Sequence, residues 1–221
     1  PPPLFSVTLL EKILRSKLVI WTLIVLPGLW PAWPIFRQNP TVLADPLKFV
    51  LHHLGFTACV LLASVLTFTP LRILFPKWGA ALALNRHRRL VGVSAFAYGA
   101  LHFVTHVLYE GGLTTLRTTL ADDLTKPFLI TGMLTLTILT VLAVTSLPAA
   151  VRWLGGRRWK NLHRLAYVAA ALIAYHQAAA RKLFPQQVLW IFVPLVVLEL
   201  ARILKERKIN AGKRPAVRSS A

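Results

Sequence analysis

The stretch LVGVSAFAYGALHFVTHVLY, residues 90–109, decides the class of this protein. It contains no Lys, Arg, Asp or Glu, and its 20 residues are about what an α-helix needs to cross the hydrocarbon of a bilayer. Backbone polar groups find no water there, so the segment has to be helical. It also carries two imidazoles, His102 and His106, which membrane burial alone does not explain.

The rest of the chain is also rich in long apolar segments. Of its 221 residues 56% are hydrophobic and 15% charged, with a mean hydropathy of +0.60, unlike a soluble domain of this length. Six apolar stretches are long enough to span a membrane: 17–36, 47–70, 90–109, 128–150, 162–180 and 186–203. The sequence therefore predicts an all-α integral membrane protein with six transmembrane helices.

The distribution of charge predicts the orientation. Lys and Arg number 26 against 7 Asp and Glu, and the basic runs lie before the first stretch, in the second and fourth loops, and after the sixth stretch. Basic loops stay in the cytoplasm, so both termini are predicted to be cytoplasmic. We divide the chain into a cytoplasmic segment (1–16), a transmembrane domain (17–203) and a basic tail (204–221). The basic runs suit membrane lipids, and no soluble module for nucleic acid is present.

Several kinds of chemistry are excluded by what the sequence lacks. Cys59 is the one cysteine, so neither a disulfide within the chain nor a site built from several thiolates can form. We find no phosphate-binding loop and no nucleophile with its base. The acids Asp122 and Asp123 are expected to be too exposed and isolated for acid–base work, and Glu199 is expected to pair with Arg202. No catalytic residue is predicted.

Two histidines lie at matched depth in different spans. His102 and His176 are each about 14 residues, or about 20 Å, from the cytoplasmic edge of the third and fifth spans. A level pair of imidazoles is what a six-coordinate b-type haem requires. The alternative is two core histidines bonded to neighbouring carbonyls. Ionisable groups inside a membrane usually serve function, which favours haem ligation.

His163 is a candidate for a second, inner haem. It lies at the cytoplasmic edge of the fifth span, about 20 Å from His176 and rotated about 140° from it around the helix, so one groove would not serve both. Its level partner in the third span would be His87, which equally suits a solvated, anion-attracting role. Three neighbouring arginines suit haem propionates or a cofactor phosphate, although the positive-inside bias explains them equally well: Arg88, Arg89 and Arg164.

The sequence gives weaker indications of a haem-binding role for the remaining histidines. His106 follows His102 by one helical turn and is expected to be a core residue, with a ligand or propionate contact as the alternatives. His52 and His53 begin the second span at the outer leaflet, where one of them could contact a propionate.

Four segments carry a resemblance to a known family: ADPLKFVLHHLGFTA (44–58), TPLR (69–72), RHRRLVGVSAFAYGALHF (86–103) and WKNLHRLAYVAAALIAYH (159–176). They are similar to the MsrQ (YedZ) family of bacterial haem-binding membrane subunits, within the ferric-reductase-like transmembrane superfamily. The resemblance extends over nearly all six predicted spans, in order.

The resemblance implies an inner-membrane b-type cytochrome. Such a protein passes electrons from the respiratory chain, from quinol or through a soluble flavin reductase, to the periplasmic molybdopterin enzyme MsrP, which reduces methionine sulfoxide in oxidised proteins. It implies His102, His163 and His176 as haem ligands, one or two b haems, and FMN as a further cofactor. The 221 residues contain no FAD- or NAD(P)H-binding domain, which implies a separate electron donor.

We therefore predict a non-catalytic electron-transfer subunit. One rival is a stand-alone transmembrane ferric or metalloreductase, which a cluster of acids at the outer face would favour; the sequence shows none. Another is a transporter using the histidines as a relay, which inverted repeats or broken helices would favour. A purely structural membrane scaffold with buried histidines is the third.

Overall fold

The computed structural model describes residues 9–180 and 185–212, and these residues are almost entirely helical. In chain order the helices are α1 (Leu9–Arg15), α2 (Lys17–Leu29), α3 (Ala32–Phe36), α4 (Pro40–Leu43), α5 (Pro46–Leu74), α6 (Gly79–Arg86), α7 (Arg88–Tyr109), α8 (Leu116–Asp123), α9 (Pro127–Val144), α10 (Pro148–Leu162), α11 (Leu165–Ala179) and α12 (Gln186–Gly212). A 3₁₀ turn, Gly112–Thr114, lies between α7 and α8. No strand occurs in this part of the chain.

Four of these helices, α5, α7, α9 and α12, are long and apolar enough to cross a membrane. The other two predicted spans are shorter: α2 has 13 residues and α11 has 15, the latter about 22 Å long. α2 ends before Pro31, which cannot donate a backbone hydrogen bond, and the chain turns at His163 and Arg164 before α11 begins. The all-helical membrane class is confirmed, with four spans by length and composition.

The long helices begin where the sequence supplies a cap. The carboxylate of Asp45 accepts a hydrogen bond from the backbone N–H of Lys48 (3.1 Å), and Pro46 occupies the first turn of α5. Proline also opens α9 and α10, at positions whose N–H would have no partner within the helix. α12 continues beyond Ile203 to Gly212, so no helix end marks the predicted start of the basic tail; residues 213–221 lie outside the described part.

Small residues let the helices of the bundle approach closely. A central apolar cluster joins α5, α7, α9, α11 and α12, and Ala95 and Ala169 are completely buried in it. A second cluster holds α2 against α5 and α7 through Ile20 and Ile24. Close backbone approach at alanine and glycine is the usual basis of helix association in membranes, where lipid is as apolar as the side chains.

The outer faces of the bundle are apolar as well. Only 11% of the most apolar window of α12 and 17% of that of α9 are buried within the protein. Large side chains are exposed as a result, such as Trp190 on α12, and Leu18 on α2 is exposed as well. A surface of this kind is stable in contact with lipid and not in contact with water.

The two ends of the bundle differ in charge. α5 has Asp45 at its N-cap and Arg72 in its last turn, and the antiparallel α7 begins at Arg88 and ends before Glu110. We call the end with Asp45, Glu110 and Asp123 the acidic end, and the end with Arg72, Arg88 and Arg89 the basic end.

Candidate functional site

His102 on α7 and His176 on α11 face each other inside the bundle. Their ring centroids are 6.2 Å apart and the ring planes are nearly perpendicular, at 85°. The prediction that the two residues lie at the same level is confirmed by this contact.

A backbone carbonyl on a neighbouring helix holds each ring. Nδ1 of His102 donates to the Leu51 carbonyl on α5 (2.9 Å), and Nδ1 of His176 donates to the Phe128 carbonyl on α9 (2.7 Å). A carbonyl only accepts, so Nδ1 carries the hydrogen and Nε2 of a neutral ring carries a lone pair. Neither Nε2 has a hydrogen-bond partner among the described residues. Histidines that bind metals are usually oriented in this way.

The spacing of the rings fits ligation of one metal ion. An imidazole nitrogen lies about 2.0 Å from a first-row metal and the ring centre about 1.1 Å further on, so two imidazoles on opposite sides of one ion have centroids about 6 Å apart. The observed 6.2 Å agrees with this value. The described residues contain no group of three or more His, Cys, Asp or Glu that could hold a metal ion. The metal-ligand candidates at this place are therefore the two imidazoles, a donor set that suits a haem iron.

Two glycines make room for the rings. A Cβ on Gly55 would lie 2.8 Å from Nδ1 of His102, and a Cβ on Gly132 would lie 2.8 Å from Nδ1 of His176. Any other residue would have to displace the ring. We did not single out these glycines from the sequence; the available signal was a glycine inside an apolar helical segment.

Open space adjoins the histidine pair. Two cavities are both lined by His102 and His176, and they share Gly99, Gly132 and Leu136. The one nearer the acidic end has a volume of about 340 Å³, within the range of cofactor sites. His52, which the sequence places at the start of the second span, lines both cavities. Paired imidazoles beside apolar space fit a b-type haem.

His106 has a buried acidic partner. Its Nε2 lies 2.8 Å from Oδ2 of Asp123, whose residue is 3% exposed. The expectation that Asp123 is exposed and isolated was therefore wrong, because α8 folds back over the acidic end and brings this carboxylate onto α7. The pair also lines the cavity at that end.

His163 lines a third cavity, at the basic end of the bundle. Its Nδ1 donates to the Trp159 carbonyl (3.1 Å), its Nε2 lies 3.3 Å from Oγ of Ser146, and the Trp159 ring packs against it at 3.9 Å between centroids. Arg88 and Arg89 line the same cavity, so they are positioned for a negatively charged group there.

The structure does not bring His87 into this cavity. His87 is 7% exposed, lies at the junction of α6 and α7, and its Nε2 bonds to the Leu14 carbonyl at 3.1 Å. Arg164, at the start of α11, is exposed and does not line the cavity either. Of the residues proposed around His163, only Arg88 and Arg89 are brought close to it.

Two other polar groups have structural partners. Nε of Arg202 donates to Glu199 (2.7 Å), which confirms the expected pair, and the hydroxyl of Tyr167 donates to the same carboxylate (3.0 Å). Nε2 of His53 donates to the Pro27 carbonyl and holds α2 against α5.

Comparison with known proteins agrees with this arrangement. Residues 54–174 match the family described as ferric reductase like transmembrane component, a segment that includes His102 and His163 and ends just before His176. The chain is also 35% identical over 199 residues to the protein-methionine-sulfoxide reductase heme-binding subunits MsrQ of Brucella ovis, Brucella canis and Brucella suis. Each alignment covers 82% of this chain and 87% of the relative.

Proposed function

The chain belongs to the ferric-reductase-like transmembrane family and, within it, to the MsrQ heme-binding subunits, and from this premise we propose that it is a membrane b-type cytochrome. The observation that carries the proposal is the facing pair His102 and His176, with Nε2 available on both rings and ring centroids 6.2 Å apart. These two residues would hold the haem iron.

A bound haem b supplies reversible one-electron transfer at its iron. The protein provides the ligands, their orientation and an apolar surrounding. The carbonyls of Leu51 and Phe128 fix the two rings, and Gly55 and Gly132 let them approach. Apolar side chains such as Leu136 and Leu139 line the space and exclude water.

We further propose the direction of electron flow. The basic end lies in the cytoplasm, the acidic end faces the periplasm, and the protein resides in the bacterial inner membrane. His102 and His176 adjoin the cavity that extends to the acidic end, where Glu110 and Asp123 line it. Electrons from quinol therefore leave toward a periplasmic molybdopterin methionine sulfoxide reductase of the MsrP type, and this chain is its non-catalytic electron-transfer subunit. A second haem on His163 and a bound FMN stay predictions from the family resemblance.

The visible spectrum of the protein purified in detergent tests the haem proposal. We expect a Soret band, an α-band of a b haem on reduction, and at least one haem per chain by pyridine haemochrome. His102→Ala and His176→Ala should each lose the haem of this site. His87→Asn is the matched control and should retain it, because His87 bonds to Leu14 away from both cavities of the pair. A wild-type protein without a Soret band would refute the proposal.

Re-oxidation of the reduced protein tests whether a periplasmic methionine sulfoxide reductase is its electron acceptor. The dithionite-reduced protein, freed of excess reductant, should be re-oxidised by methionine sulfoxide only when the purified periplasmic reductase is added. Re-oxidation by the sulfoxide alone, or none with the reductase present, would contradict the assignment as an electron-transfer subunit.

A further inference from the structure

Two lysines line the cavity of about 340 Å³ that extends from His102 and His176 to the acidic end. Lys48 lies in the first turn of α5, and Lys126 immediately precedes α9. Neither lysine forms an ion pair within the part of the chain that the structure describes. The positive-inside bias does not account for them, because we place this end of the bundle in the periplasm.

We infer that Lys48 and Lys126 bind the two propionate groups of the haem between His102 and His176, so that the propionate edge of this haem faces the acidic end. The inference rests on the proposed function, because it concerns the haem that we place on these two histidines. A haem b carries its two carboxylates on one edge, and an ammonium group binds a carboxylate through charge-assisted hydrogen bonds. The haem edge nearest the periplasmic partner would then be the propionate edge.

The lysines lie on the helices that orient the two ligand rings, and at a similar level. Lys48 precedes Leu51, whose carbonyl holds one ring, by three residues of α5. Lys126 precedes Phe128, whose carbonyl holds the other ring, by two residues. At the rise of an α-helix, each lysine is therefore about 3–5 Å nearer the acidic end than the carbonyl that holds a ring.

The two cavities that both histidines line differ in charge. The cavity that includes Cys59 and Leu139 has no Lys or Arg among its described lining residues. Arg88 and Arg89 line the third cavity, to which neither ligand histidine contributes. A haem on the histidine pair therefore meets cationic side chains at the acidic end, within the described part of the chain.

The start of α9 favours a negative charge at the same place. The carboxylate of Asp45 caps α5, whereas no side chain caps the N-terminus of α9. The first N–H groups of a helix lack partners within it, and the helix dipole is positive at this end. A propionate bound to Lys126 would lie close to these groups, which attract carboxylates for the same reason.

The acids near the cavity do not take the place of the propionates. Asp123 is bound to His106, and Asp45, already used as a cap, accepts a further hydrogen bond from the hydroxyl of Tyr109 (3.4 Å). Glu110 lines the cavity and is exposed, so water screens its repulsion of a nearby carboxylate.

The rate of haem loss from the purified holoprotein in detergent tests the inference. Transfer of haem to excess apomyoglobin is followed in the Soret region, and if two haems are bound, the phase that His102→Ala lacks is the one compared. We expect Lys48→Met and Lys126→Met each to lose haem about threefold faster than the wild type, as the loss of a partly exposed ion pair predicts. The charge-retaining Lys48→Arg and Lys126→Arg should keep the wild-type rate.

The midpoint potential of the haem provides a second measurement. Removal of a positive charge beside the haem favours the ferric form, so the potential should fall in Lys48→Met and Lys126→Met. Arg117→Met is the matched control, because Arg117 is an exposed cation on α8 that does not line the cavity. This variant should have the wild-type potential and the wild-type rate of haem loss.

Haem dimethyl ester distinguishes a contact with the propionates from a structural effect. The esterified cofactor keeps the iron and the ring but lacks both negative charges. Protein reconstituted with it should lose it at equal rates in the wild type, Lys48→Met and Lys126→Met, because no carboxylate is left for the lysines to bind.

Two outcomes would overturn the inference. One is equal haem loss and equal potential in the wild type and both methionine variants. The other is faster loss of haem and of its dimethyl ester alike from the variants, which would mean that the lysines only support the fold. Failure of the proposed function gives a different result, because His102→Ala and His176→Ala would then leave the spectrum of the wild type unchanged.

Discussion

At the scale of single residues, the site depends on which ring nitrogen of His102 and of His176 carries the hydrogen. The Leu51 and Phe128 carbonyls accept from Nδ1 of His102 and His176, and this leaves a lone pair on both Nε2 atoms, on rings whose centroids are 6.2 Å apart. Because the acceptors are backbone atoms, no substitution of their side chains removes them. The residues that make the arrangement sensitive to mutation are the glycines that lie against the rings.

Gly132→Ala and Gly55→Ala should each impair haem binding. The new Cβ would lie 2.8 Å from a ring nitrogen, and overpacking of this kind typically costs about 1–3 kcal/mol. We expect a several-fold fall in haem content or a shifted α-band in the purified variants. Gly92→Ala on α7 is the control, since its Cβ meets only Val65 at 4.0 Å. Full haem content with an unchanged spectrum in Gly132→Ala would contradict the role of the glycine.

At the scale of elements, the helix pairs α5–α7 and α9–α11 each contribute one ligand and one supporting carbonyl. The ligand of one helix is oriented by its antiparallel neighbour, so the site needs both pairs to be packed. At the acidic end, α8 provides a further contact between the helix pairs. Its last residue, Asp123, is buried against His106 on α7 and so fixes the connection between the two pairs.

Asp123→Leu should loosen α8. The substitution leaves Nε2 of the partly buried His106 without its partner, and such a loss typically costs about 1–3 kcal/mol at a fully buried site and less here. Hydrogen–deuterium exchange of residues 116–123 should become faster, and the haem spectrum should persist because the ligands lie on other helices. Asp122→Leu, an exposed neighbour, is the control. Equal exchange in the two variants would show that the buried pair does not hold α8.

At the scale of the whole molecule, charge and apolar surface act together. The line from the basic end to the acidic end is the long axis of the bundle. The apolar outer sides of α9 and α12 run along this axis and face the lipid. Positive residues remain on the cytoplasmic side during insertion, so this axis supports the orientation that we propose for the protein.

Cysteine labelling of spheroplasts tests the orientation. Cys59, the one natural cysteine, is 1% exposed and should not react with a membrane-impermeant maleimide. Thr118→Cys on α8 should be labelled from outside the cell, and Lys160→Cys on α10 only after lysis, since both positions are exposed at opposite ends of the bundle. The reverse labelling pattern would invert the proposed direction of electron flow.

The sequence by itself determined the class of the fold and the central pair of the site. Apolar segments of membrane length can only be helices, and counting along them places His102 and His176 at one level, because the rise of a helix is constant. Counting residues along one helix does not tell which residue of a neighbouring helix a side chain contacts. Tertiary packing alone decided that Gly55 and Gly132 lie against the two rings, that Asp123 is buried on His106, and that His87 bonds to Leu14 away from His163. Each of these contacts joins residues on different helices, and its geometry depends on how the helices pack.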